Sequence, residues 1–173
     1  MIIKKCDIYK NSNGRFVLIN KGSLSNFYNL TIFLLWLFGY IKRDGILKFI
    51  EKNKFGMLFE EVNLDFDNEN SLVYVSESYH SHDPKHATEE IKALLEEENF
   101  IKLCQMGFLD YNVMTKENFI HLLFAWDAIL DKLPSFALLY FDDNNWYDVL
   151  PFDSQEEMEQ FIADHTKIEN LEK

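Results

Sequence analysis

Two cysteines, three prolines and six glycines are all that a chain of 173 residues carries, and each shortage closes a route. Cys6 and Cys104 lie far apart with no CxxC spacing, so a disulfide framework is not expected and a reducing cytosol is the fitting compartment. Six glycines are few from which to build a phosphate cradle. No GxGxxG, P-loop, GxSxG or kinase pattern occurs, and no HExxH, which sets aside the enzyme classes that announce themselves by motif. Met1–Asp7 lacks a charged n-region followed by a long apolar stretch, so no signal peptide is expected. The longest apolar run, Leu30 to Ile41, spans twelve residues where a bilayer crossing takes about 20. Polar residues precede it and Lys42-Arg43-Asp44 follow, so it reads as a buried helix without membrane association.

Basic residues are scarce too: 17 Lys and Arg face 29 Asp and Glu, for a net charge of −12. The deficit is uneven. Residues 1–58 hold ten bases against three acids, and the remainder holds seven against 26. Such a balance repels nucleic-acid phosphates and anionic lipid heads and attracts a cationic protein. It also serves mere solubility, so charge alone selects no partner. The basic third has interleaved aromatics but no base-reading motif, and its lysines are expected to flank the apolar helix.

What is present is core material: 47% of residues are hydrophobic and 16 are phenylalanine, ample for one domain over residues 1–173. Within it, a basic N-terminal part (1–54) precedes an acidic remainder (55–173). Asn13-Gly14 marks an N-terminal hairpin between residues 1–9 and 15–20. The apolar helix follows to about Tyr40, then a short helix from Asp44 to about Asn53. "GMLFEEVNLDF" and "SLVYVSESY" alternate like strands around the polar run Asp67–Asn70, a second hairpin. Pro84 opens a helix to about Glu98, and "FIKLCQMGF" continues helically. Thr115 caps the best-patterned helix, with Phe119, Leu122, Leu123, Trp126, Ile129, Leu130 and Leu133 at three- and four-residue spacing. "SFALLYF" has the length of a buried central strand, Asp142–Asn145 form a turn, and "WYDVLPF" returns. Ser154 and Glu157 form a capping box ahead of Met158, Phe161 and Ile162. The expected fold class is α+β, a single domain of antiparallel hairpins packed against about five helices on one sheet face.

Candidate chemistry is sparse. His80, His82 and His86, with Asp83, place imidazoles close together, and three histidines with an open position can activate water on zinc. The proline before His86 spoils the spacing, and an exposed polar loop is the simpler reading. Cys104 with His121 is a conceivable nucleophile and base, but both sit in apolar-periodic helices where a cysteine is usually a small hydrophobe. No cofactor is implied.

The stretch "LLYFDDNNWYDVLPFDSQEEMEQF" is more informative. Alternate residues of a strand point to opposite faces, so one of Trp146 and Tyr147 turns inward and the other outward. The outward ring lies among Asp142, Asp143, Asn144, Asp148 and Asp153, an aromatic anchor with an acidic rim that fits a basic site on another protein. Ordinary hairpin packing is the competing account. Asp65, Asp67 and Glu69 form a secondary acidic surface, with Glu96–Glu98 as a further one.

This late segment, in a small acidic cysteine-poor chain, resembles the strand–turn–strand–helix ends of immunity proteins that bacteria pair with secreted polymorphic toxins, including those of contact-dependent growth inhibition. The resemblance implies a cytoplasmic monomer that blocks a cognate cationic toxin domain, often a nuclease. Two other classes stay open. An acidic dimeric secretion chaperone would use the Leu30–Ile41 helix as its groove, and a small metal-dependent hydrolase would use the histidine loop.

Overall fold

The computed structural model describes residues 1–12, 14–19, 28–37, 43–51, 57–58, 62–78 and 87–166. Among them the chain is α+β, as expected: six helices and eight strands in two antiparallel sheets. Two compact units divide it. One joins residues 1–22 to 117–173, and the other is residues 23–116.

The first unit contains β1 (Ile3–Ser12), β2 (Arg15–Leu18), β7 (Phe136–Asp142) and β8 (Tyr147–Phe152), in the order β2-β1-β7-β8. At the first turn, Asn11 Oδ1 accepts from the Gly14 N–H at 3.0 Å, and Gly14 takes φ +82°, a conformation open to glycine. β7 is a central strand, buried from Phe136 through Tyr140, and an apolar strand of that kind must be covered on both faces. It is. From α5 (Lys116–Lys132), the indole of Trp126 packs against Tyr9 and Phe16 at 5.4 and 5.9 Å between ring centres. On the opposite face, Met158 of α6 (Gln155–His165) joins Ile3, Phe136, Leu138 and Tyr140. The expectation of helices on one face is therefore corrected. The capping residue of α6 is as read: Ser154 Oγ accepts from the Glu157 N–H at 3.2 Å.

The second unit holds α1 (Tyr28–Leu37), α2 (Arg43–Glu51), β3 (Met57–Leu58), β4 (Val62–Asp67), β5 (Leu72–Glu77), α3 (Glu89–Glu96), α4 (Phe100–Gln105) and β6 (Tyr111–Thr115), with strand order β3-β4-β5-β6. β6 was not foreseen. Its five residues complete the sheet beside β5 and run directly into α5. Leu30, Phe33 and Leu34 of α1 are buried, and the Leu30 N–H donates to Asn112 Oδ1 of β6 at 3.3 Å. The described part of the apolar helix is thus core. On the other sheet face, Tyr74 packs with Leu103, Cys104 and Leu109, and Ile91, Leu94 and Leu95 close over them. α3 starts at Glu89, where Thr88 takes the cap, its hydroxyl accepting from the Ile91 N–H; Pro84, expected to open a helix, lies outside the described residues. No described helix is long and apolar enough to cross a membrane.

Candidate functional site

At the tip of the β7–β8 hairpin the chain spends most of its aspartates on itself. Asp142 is 7% exposed, and its carboxylate accepts from the N–H groups of Asn144 (2.9 Å) and Trp146 (3.0 Å) and from the Asn144 side chain (3.4 Å). It folds the turn, in which Asn145 takes φ +59°. Asp143 points out and accepts from the Ile2 N–H at 3.1 Å. That bond, with the nearby N-terminus and Lys4, holds its carboxyl below the usual range. Asn144 and Asn145 are exposed, and Lys4 donates to Asn145.

Tyr147 is the inward ring, 8% exposed, and Trp146 the half-exposed one. Trp146 lies against His121 of α5 at 5.4 Å between ring centres. His121 Nε2 meets Asp148 Oδ1 at 2.9 Å, and the same oxygen accepts from the Val149 N–H at 2.8 Å. Behind this group, burial, with Asp148 and Asp142 adding to it, pushes the Tyr140 hydroxyl up to about 12, so it stays protonated.

β8 is an outer strand, and the register aims the backbone groups of Tyr147, Val149 and Pro151 away from β7. Asn118 of α5 occupies Tyr147: its amide oxygen accepts from the Tyr147 N–H at 2.8 Å, and its amide nitrogen donates to the Tyr147 carbonyl at 2.6 Å. Asp148 serves Val149, and Pro151 has no N–H to offer. No outward donor of β8 remains for an added strand, so recognition at this edge falls to side chains.

Those side chains extend beyond the sequence-predicted set. Phe124, one turn after His121 on α5, is 48% exposed. Glu117, His121 and Asp131 are exposed on the same helix. The surface is therefore Trp146, His121 and Phe124, with Glu117, Asp143 and Asp148 around them. Phe124 could have been found in the sequence, since it is the one phenylalanine of that helix off the buried spacing. Asp142 and Tyr147 leave the expected set because both are buried in making the hairpin. Asp153, also exposed, stands at the far end of β8, about 20 Å from the tip at roughly 3.4 Å per residue. There it lines an open groove of about 420 Å³ with Lys10, Asn11, Gly14, Ser135 and Phe136.

The other expected sites separate. Asp65 is 6% exposed and not a surface residue, because β4 is covered on both faces. Asp67 is half-buried and shapes its turn: Asn70 donates to it through side chain (2.8 Å) and backbone (3.1 Å), which lowers its pKa. Glu69 and Glu96–Glu98 are exposed. His80, His82 and His86 lie outside the described residues. Among those described, no group of three or more His, Cys, Asp or Glu side chains could hold a metal ion. Burial pushes the Cys104 thiol up to about 12, which is the opposite of an activated nucleophile. Compared with protein-family models, curated proteins and solved structures, the chain matches none.

Proposed function

We propose that this chain is a toxin-neutralising immunity protein that binds a cationic protein domain through the Trp146–His121–Phe124 surface. The supporting observation is the half-exposed Trp146 held against His121, with Asp148 fixing the imidazole from the other side. An aromatic ring already locked in place loses little freedom on binding, the property that makes tryptophan a frequent anchor in interfaces. Carboxylates around it favour a basic partner and raise the rate of encounter. A nuclease cleft is basic because it holds phosphate, and the immunity resemblance names that class of target. The burial of Leu30, Phe33 and Leu34 weighs against the chaperone, which needs an open groove on that helix.

The test starts from the gene's neighbourhood: an adjacent gene for a large exoprotein is expected, and the chain is co-expressed with that exoprotein's C-terminal domain. Cells carrying the parent chain are expected to grow, and cells carrying the Trp146→Ala/Phe124→Ala variant to die. Protection that survives both substitutions moves the interface elsewhere. Failure of the purified domains to form a complex removes the immunity reading. Light scattering of the free chain is expected to report a monomer, and an obligate dimer would favour the chaperone.

A further inference from the structure

Among the described residues of 23–116, three buried side-chain oxygens have no hydrogen-bond partner: Asn63 Oδ1, Asp65 Oδ2 and Ser76 Oγ. Their residues are 1%, 6% and 0% exposed. The register brings them together, since Asn63 lies opposite Ser76, and Asp65 is two residues along β4 on the same face. Tyr74 shares that face and packs on Leu103 and Cys104 of α4. The Cys104 thiol lies on the same side of the sheet, near the Ser76 hydroxyl. A buried polar atom without a partner is costly, and three at one place call for a small hydrogen-bonding partner.

The charge balance narrows the guest. Around Asp65 the titratable groups on the packed elements are Asp67 of β4, Tyr74 and Glu77 of β5, Lys102 and Cys104 of α4, and Tyr28 of α1. Burial moves the Asp65 carboxyl up to about 7, and among the described residues no cation draws it back. We propose that Asn63, Asp65 and Ser76 enclose one buried water between the sheet and α4, that Asp65 is a neutral acid donating its proton to that water, and that its ionisation loosens α4 from the sheet. The count of hydrogens closes. Asp65 donates to the water, the water donates to Asn63 Oδ1 and Ser76 Oγ, and the Ser76 hydroxyl donates to Cys104 Sγ. Once Asp65 is ionised, two water hydrogens must serve three acceptors, and a charge stands in apolar surroundings.

Infrared difference spectra of the parent against Asp65→Asn test this on the full chain, at about pH 6 and about pH 8, on either side of the value near 7. The expected result is a protonated-acid carbonyl band at the lower pH that is absent from the variant and lost at the higher pH. Amide exchange over Phe100–Gln105, corrected for intrinsic rates, should rise across the same interval in the parent and stay flat in Asp65→Asn. A carboxylate at the lower pH overturns the proposal. So does loss of the pH effect when sodium replaces choline at constant ionic strength, which would make a cation the guest. Should Asp65→Asn fail to fold, the parent spectrum against Ser76→Ala still decides, because losing that acceptor is expected to shift the acid band.

Discussion

The Asp142 carboxylate is surrounded by two backbone N–H groups and the Asn144 side chain, and it is almost fully buried. Asp142→Ala leaves those donors without their acceptor, and urea denaturation is expected to show a loss of about 2–3 kcal/mol. Asp142→Asn should lose less, since an amide oxygen still accepts from both N–H groups. Asp143→Ala, which removes one exposed acceptor of the Ile2 N–H, should lower the denaturation midpoint only slightly. At Trp146 the expectation reverses: Trp146→Ala should lower affinity for the toxin domain by about 2 kcal/mol or more, roughly 30-fold, with a smaller effect on stability. The pairing of one inward and one outward ring was legible from strand alternation. Which ring goes inward was not, because it depends on β8 beginning at Tyr147. Nor could four nearby aspartates be sorted into a turn former, an N-terminal anchor, an edge cap and a distant bystander, since the partners of Asp143 and Asp148, Ile2 and His121, come from remote segments.

Among the elements, the outer edge of β8 has the clearest consequence. Asn118→Ala removes both hydrogen bonds to the Tyr147 backbone and opens the edge, so a loss of about 1–3 kcal/mol and measurable self-association by light scattering are expected together. Pro151→Val restores one outward N–H without removing a contact between α5 and β8. It should promote association while leaving the midpoint nearly unmoved, which separates edge exposure from destabilisation. Hairpins were readable because Asn11, Gly14 and Asp67–Asn70 carry their turn chemistry locally. β6 was missed because Tyr111–Thr115 has only five residues and continues without a break into α5, so its alternation reads as a lead-in to that helix. The pairing of Cys6 with Tyr140 and Tyr9 with Ala137 joins opposite ends of the chain, and no local pattern records it.

For the whole molecule, the stability profile follows from three carboxyls and the net charge. Asp65 is raised from 3.8 to about 7. Below its unfolded value both states are protonated and no penalty arises. As pH climbs from about 4 to about 7 the unfolded chain releases this proton while the folded chain keeps it, so stability falls and then levels off. An interval of about three pH units corresponds to on the order of 4 kcal/mol. Asp67 and Asp143 are lowered, so their support is present above the ordinary carboxyl range and fades as pH falls through it. Self-repulsion from a net charge of −12 adds to the decline on the neutral side and relaxes toward the isoelectric point near 4.8. Stability should therefore peak near pH 4–5, below the usual maximum of about 5 to 8. The two neutral-side contributions separate by salt. Raising ionic strength should flatten the part due to net charge, while the part due to Asp65, buried and poorly screened, should persist in the parent and vanish in Asp65→Asn. Urea midpoints from about pH 4 to pH 8, at low and high salt, for both chains decide it. A parent curve that high salt makes flat would mean that Asp65 is ionised in the folded chain, and net charge alone would then account for the slope.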